Sequence, residues 1–249
     1  AEISREIGME AIASGRLGLL MVAGGQATRL GISGPKGLVP IGPLSGKNLF
    51  QWHAEKIRAL GNRAGRPLPW IVMTGPANDE ETRIHFEEQG FYGLEREDIF
   101  FLCQGTVPAV DLKGRMFLSS SDSVFENPDG HGGVLEGLER SGGFSWLRDR
   151  GVDQLFYFQV DNPLAWIGDP IFLGHHLQAR AEMSSKVVEK VEPTEKVGVV
   201  GKLNGRATVI EYSDLPEKYA LLRDPDGRLR FRHGNMAIHL FSCSFLEEQ

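Results

Sequence analysis

The sequence predicts an α/β fold built on a doubly wound, mostly parallel mixed sheet, and three observations carry that expectation. Predominantly apolar runs at residues 17–23, 69–74, 99–103 and 154–160 read as strands buried on both faces, because a half-exposed strand would alternate apolar and polar residues. Helix-like segments separate the first three runs, and a strand, helix, strand, helix succession builds a parallel sheet covered on both sides. The runs end in small or polar residues, and ligands of open parallel sheets collect at the carboxyl ends of strands, so topology alone brings Gly24, Thr74 and Gln104 to one edge.

In chain order, Ile3, Ile7, Ala11 and Ile12 fall near helical spacing over residues 2–14, and Gly15 supplies a stop before the first strand. Residues 48–60 carry Leu49, Phe50, Trp52, Ile57 and Leu60 and read as a helix ending at Gly61. Asn78, with Glu81 three residues later, is a capping-box signature that opens a helix to about Gln89. Residues 113–129 are polar and loop-like, and Gly130-His131-Gly132-Gly133 then leads into an apolar helical stretch over 134–138. Beyond the strand at 154–160 the character changes. Short β-rich stretches at 186–191, 197–203 and 207–212, with a hairpin turn at Asn204-Gly205 and a last strand at 236–241, predict an added hairpin-containing mixed sheet.

Composition narrows the function classes. With 249 residues, 41% hydrophobic and 24% charged, the chain can bury a globular core. A net charge of −6 and the lack of any Lys/Arg run remove the electrostatic footprint of a nucleic-acid partner. No apolar run approaches a membrane span, so no membrane partner is expected. Cys103 and Cys243 are the two cysteines, both inside apolar runs, which predicts reduced core thiols and a cytoplasmic setting.

The chemistry concentrates in residues 20–37, LMVAGGQATRLGISGPKG. Gly24-Gly25 lets backbone N–H groups approach a ligand, and Arg29 and Lys36 add positive charge, which together suit a phosphate cradle or an ordinary strand-to-helix turn with two surface cations. Gly24, Gly25 and Gly31 do not make a dinucleotide fingerprint. Gly42 to Gly46-Lys47-Asn48 is one residue short of a P-loop and lacks its Ser/Thr. The Gly130–Gly133 stretch frees the backbone to approach a flat ligand at a helix N-terminus, or is a turn. Asp161, at the end of a buried strand, suits a Mg2+ ligand or a cap of the next turn. Glu211 and Asn235 bond sugar hydroxyls well, although Asn after Gly234 is also turn chemistry.

GGQATRLG followed by PKG resembles the signature loop of the UDP-sugar pyrophosphorylases, nucleotidyltransferases acting on UTP and a sugar 1-phosphate, with Ala27 standing where the family pattern has Gly. The UDP-N-acetylhexosamine branch is the most similar. CQGTVPAV (103–110), PDGHGG (128–133), QVDNPL (159–164), KVVEKVEPTEKVGVV (186–200), VIEYSDLPE (209–217) and GNMAIHLFS (234–242) follow in the family's order. The resemblance implies a glycosyltransferase-A-like (Rossmann-like) nucleotidyltransferase core. It implies one catalytic-core domain over 1–249, with a nucleotide-binding half at about 16–165 and a sugar-binding half at about 166–249, and without the family's C-terminal domain.

The reaction it implies is UTP plus a sugar 1-phosphate, N-acetylglucosamine 1-phosphate first, giving UDP-sugar and pyrophosphate with Mg2+. A UDP-glucose/galactose or broad-specificity enzyme is the alternative, and a catalytically weak UDP-sugar-binding module a further one. A sugar-transferring enzyme of similar core would show Asp-x-Asp, which Asp161-Asn162-Pro163 is not. Carried over residue by residue, the backbone of Ala23, Gly24 and Gly25, the Gln104 side chain and the Gly130 backbone meet the uracil. His131, Gly198, Glu211 and Asn235 meet the sugar; Arg29 takes the leaving β- and γ-phosphates, Lys36 the α-phosphate or the attacking phosphate, and Asp161 the Mg2+. At His131 the N-acetylhexosamine branch typically has Asn, whereas Gly-His-Gly resembles the UDP-glucose and broad-specificity branches.

Overall fold

A computed structural model describes residues 1–26 and 34–249; Arg29, with Ala27, lies outside the described residues, as does the side chain of His131. The elements run α1 (Glu2–Ala13), β1 (Leu17–Val22), α2 (Leu49–Ala64), β2 (Trp70–Thr74), α3 (Asp79–Glu88), β3 (Ile99–Cys103), β4 (Thr106–Pro108) and β5 (Glu126–Pro128). They continue through α4 (Gly133–Ser141), α5 (Gly143–Arg148), β6 (Gln154–Gln159), α6 (Pro170–Ala179), β7 (Met183–Glu189), β8 (Val199–Leu203), β9 (Arg206–Ile210), α7 (Glu217–Ala220), β10 (His233–Ser242) and α8 (Cys243–Glu247). Two compact units form: residues 1–183 with 240–249, and residues 184–239.

The first unit holds the parallel sheet, in the order β3-β2-β1-β6. Its register sets Leu19 beside Trp70 and Phe156, and Trp70 beside Ile99. Because alternate residues of a strand point to opposite faces, the apolar runs feed two cores. Leu20, Ile71, Met73, Leu155 and Tyr157 pack with Leu138 of α4, Leu147 of α5 and Leu246 of α8. On the other face, Trp70 meets Phe86 of α3, Phe158 meets His53 of α2, and Phe156 meets Phe172 of α6. Helices cover both sides, as the doubly wound expectation requires. The last three residues of β10, Leu240 to Ser242, also belong to this unit.

Four local expectations are corrected. Helix α2 passes through Gly61, which is buried with its Cα facing the Arg66 carbonyl, and ends a turn later at Gly65, whose φ of +72° gives the left-handed cap. Asn78 precedes α3, but its side chain makes no capping bond, being drawn into the loop after β1 instead. The polar stretch at 113–129 is partly paired: β4 and β5 are antiparallel, and bridges link Val110 to Met116 and Leu118 to Val124. Those residues are solvent-facing, so burial imprints no period on them. Cys103 is exposed rather than buried, because it ends the edge strand β3; both thiols are free.

Helix α6 has no counterpart in the sequence reading, since Ile171, Phe172 and Leu173 are contiguous rather than spaced for one face. Asp169 caps it, accepting from the N–H groups of Ile171 and Phe172 at 3.0 and 3.4 Å, and Pro170 starts it.

In the second unit β8 and β9 form the expected hairpin, with Asn204 and Gly205 at φ +52° and +81° as a two-residue turn of this hand needs. Strand β10 pairs antiparallel with β8 through Gly234 and Val199, and β7 pairs with β10. Among the described residues no helix is long and apolar enough to cross a membrane.

Candidate active site

Strand β1 delivers the double glycine to the carboxyl edge of the sheet, held there by the Ala23 N–H donating to Met73 O at 2.7 Å. Each glycine then receives a side chain. A β-carbon on Gly24 would lie 3.1 Å from the Gln104 amide carbon, and one on Gly25 would lie 3.1 Å from Lys36 Cε. The missing side chains therefore admit the two groups that the sequence places at this edge. Gln104 is 7% exposed, follows β3 directly, and its N–H donates to Thr74 O at 2.9 Å. Lys36 sits on a short 3-10 turn, Lys36–Leu38, whose first N–H donates to Gly25 O at 3.1 Å.

From there Lys36 Nζ reaches Asp161 Oδ2 at 2.8 Å. The turn after β6 closes through its main chain, Asn162 N–H to Gln159 O at 3.2 Å, so the Asp161 carboxylate is engaged by Lys36 rather than by the turn. The side chains of Lys36 and Asp161 are 32% and 43% exposed, and an ion pair that open to water contributes only about 0.2–1 kcal/mol. An arriving polyanion can readily exchange with it. Among the described residues no group of three or more His, Cys, Asp or Glu is placed to hold a metal. A single carboxylate such as that of Asp161 is compatible with Mg2+, which commonly takes one or two carboxylates and completes its shell with water and phosphates.

Gly130, at φ +76°, turns the chain into the helical stretch ahead of α4. The preceding Asp129 donates its N–H to Gly105 O at 3.1 Å, which sets this turn beside the segment carrying Gln104. Ala23, Gly24, Gly25, Lys36, Gln104, Gly130 and Asp161 all belong to the first unit.

The second unit brings together three residues from separate stretches. Asn235 N–H donates to Gly198 O at 2.7 Å, and a β-carbon on Gly198 would meet Glu211 Oε1 at 3.0 Å. Asn235 lies within β10 rather than in a turn ahead of it, and its Oδ1 accepts from the Ala237 N–H at 3.0 Å.

Sequence reasoning missed Asn78. It is 1% exposed; its Oδ1 accepts from Gly75 N at 2.8 Å, and its Nδ2 donates to Ala23 O at 3.0 Å and to Gly25 O at 3.4 Å. These bonds tie both carbonyls back against the turn that follows β2. An Asn before an acidic helix start reads as a cap, and that local signal hides the longer-range role.

Residues 4–244 match the family described as UTP–glucose-1-phosphate uridylyltransferase. The chain is 38% identical to UDP-N-acetylglucosamine diphosphorylase 1 of Arabidopsis thaliana, over 98% of this chain and 51% of that protein. It is 36% identical to the UDP-N-acetylglucosamine pyrophosphorylase of Saccharomyces cerevisiae, over 97% of this chain and 51% of that one. It thus spans about half the length of these relatives. The crystal structure of the Trypanosoma brucei UDP-N-acetylglucosamine pyrophosphorylase in complex with an inhibitor superposes with a TM-score of 0.91 at 32% identity, covering 99% of this chain and 51% of that one. A UDP-glucose phosphorylase from the same organism shares the fold, with a TM-score of 0.76 at 18% identity over 96% of this chain and 51% of that one.

Proposed function

The chain belongs to the UTP–glucose-1-phosphate uridylyltransferase family, and on that premise we propose that it transfers the uridylyl group of UTP to a sugar 1-phosphate, N-acetylglucosamine 1-phosphate above all. The observation that carries this reading is the meeting of Gln104 over Gly24 with Lys36 over Gly25 and Asp161, an amide for a base beside charges for phosphates. A phosphate oxygen of the sugar 1-phosphate attacks the α-phosphorus of UTP in line. The bond from that phosphorus to the oxygen bridging to the β-phosphate breaks, and pyrophosphate leaves. No general base is needed, because the attacking phosphate is already ionised near neutral pH, so the barrier is mainly repulsion between polyanions and their orientation.

Lys36 exchanges Asp161 for an oxygen of the α-phosphate or the attacking phosphate and offsets the charge that builds there. Arg29 takes the leaving phosphates on the strength of its place in the sequence. Asp161 would hold Mg2+, which supplies neutralisation of phosphate charge when bound. The backbone of Ala23 to Gly25, with Gly130 and the Gln104 amide, reads the uracil; Glu211 and Asn235 take sugar hydroxyls where Gly198 leaves room. Two free thiols fit a cytoplasmic setting.

Gln104→Ala is expected to lower the preference for UTP over CTP by about tenfold or more, since removing the partner of a buried base edge costs about 1–3 kcal/mol. Competition between the two nucleotides checks it, and unchanged preference removes Gln104 from the base site.

One observation favours a second substrate reading. His131 lies between Gly130 and Gly132, and a ring there leaves less room for a 2-acetamido group than Asn does, which favours glucose or galactose 1-phosphate. Pyrophosphate release with UTP, Mg2+ and each of the three sugar phosphates tests both. N-Acetylglucosamine 1-phosphate is expected to give the highest kcat/KM, and His131→Asn to widen its lead by roughly tenfold. A lead for glucose 1-phosphate selects the second reading; unchanged ratios in His131→Asn remove His131 from the sugar site; no pyrophosphate from any of them contradicts the enzyme.

A further inference from the structure

Helix α2 supports both members of the Lys36–Asp161 pair. Next to Lys36, Gly37 is seated on the helix: a β-carbon there would lie 2.0 Å from Phe50 Cζ, so only a bare Cα fits against that ring. Next to Asp161, three side chains of the same helix bond the main chain on both sides of the carboxylate. His53 Nε2 lies 2.8 Å from Val160 O, Trp52 Nε1 donates to Pro163 O at 3.0 Å, and Lys56 Nζ donates to Pro163 O and, at 3.2 Å, to Ala165 O. The mechanism above uses none of these groups.

His53 is the informative one. It is fully buried, with its ring against Phe158 at 5.2 Å, and desolvation pushes its pKa down to about 4. The neutral ring must carry its proton on Nε2, because the partner is a carbonyl and can only accept. Its Nδ1 is buried and has no hydrogen-bond partner among the described residues, a desolvation cost that a phenylalanine in the same space would not incur. What the imidazole alone supplies is the bond to Val160.

That bond fixes a particular plane. Val160 O and the Asp161 N–H belong to one rigid peptide unit, and Val160 N–H is already held by Val22 O at 3.0 Å. Freeing the carbonyl lets this unit rotate, and the rotation swings the Cα–Cβ bond of Asp161.

We propose that His53 is a positioning residue which, with Trp52 and Lys56 fixing the chain beyond, sets the Asp161 carboxylate opposite Lys36. The consequence for turnover rests on the uridylyltransferase reading; the placement of the pair does not. The test therefore has one readout without substrate. Lys36 acetylation by a limiting reagent is followed by mass spectrometry and normalised to exposed lysines, in the parent, Asp161→Asn, His53→Phe and His53→Gln. Phe keeps an aromatic ring and removes the donor. Gln places an amide nitrogen the same number of bonds from Cα as the ring Nε2.

Contact with Asp161 Oδ2 at 2.8 Å shields Lys36 Nζ from the reagent, so His53→Phe is expected to raise the Lys36 rate about two- to fivefold, matching Asp161→Asn, with His53→Gln near the parent. Alongside, kcat falls about tenfold in His53→Phe with KM for UTP little changed, and His53→Gln recovers most of it. Where His53→Phe fails to fold, Trp52→Phe removes the half-buried Pro163 bond and is expected to raise the Lys36 rate about twofold. A folded His53→Phe protein with the parent Lys36 rate overturns the proposal, and so does a Gln variant as impaired as Phe. If the parent releases no pyrophosphate, the uridylyltransferase reading fails, and the Lys36 rates still decide the role of His53.

Discussion

Asp161→Asn is expected to cut turnover by about a hundredfold or more while the fold and nucleotide binding persist, because it removes an interaction that matters most as charge moves in the transition state. The stability cost should be small. The carboxylate is half-exposed, its recorded partner is Lys36, and an ion pair of that exposure contributes only about 0.2–1 kcal/mol. On the proposed reading Asp161 holds Mg2+ against two polyanionic substrates, so EDTA should abolish the parent's activity and added Mg2+ restore it. Full activity in EDTA, or an Asp161→Asn enzyme within a fewfold of the parent, rules out this assignment.

Lys36→Ala should show a comparable loss of about a hundredfold, again in kcat more than in KM. The geometry adds a constraint that charge alone does not. The lysine stem crosses Gly25 with Cε only 3.1 Å from the position a β-carbon would take, so the ammonium is delivered along a narrow path. A planar guanidinium, which begins where lysine has Cε and is wider there, cannot follow it, and Lys36→Arg should recover little of the lost rate despite keeping the charge. Single-turnover rates of the three proteins at saturating UTP measure this directly. If Lys36→Arg is as fast as the parent, the charge matters and the packing over Gly25 does not.

Much of this edge was legible in the sequence because strand ends are. The runs at 17–23, 69–74, 99–103 and 154–160 became β1, β2, β3 and β6 within a residue or so, and parallel pairing then set Gly24, Gln104 and Asp161 on one side of the sheet. The Asn204-Gly205 hairpin was legible for a stereochemical reason, since few residues accept two left-handed positions in succession. What stayed hidden depends on distant partners. His53 reads as one more core position of an apolar helix face, and nothing local indicates a carbonyl 107 residues away. Asn78 carried a valid local signal that a tertiary bond overrode. Helix α6 lacked a one-sided apolar stripe, and the β4–β5 hairpin lacked any burial to shape its pattern. Two glycines near the end of α2 offered two stops, and packing against Arg66 made Gly61 an interior contact.

The most direct test of the central claim is a 31P NMR time course of the chain with UTP, N-acetylglucosamine 1-phosphate and Mg2+. The uridylyltransferase account predicts that the UTP and sugar-phosphate signals fall together while UDP-sugar and pyrophosphate rise in equal amounts, and that added pyrophosphate drives the change backward. Unchanged spectra, or orthophosphate appearing whether or not the sugar phosphate is present, would contradict it.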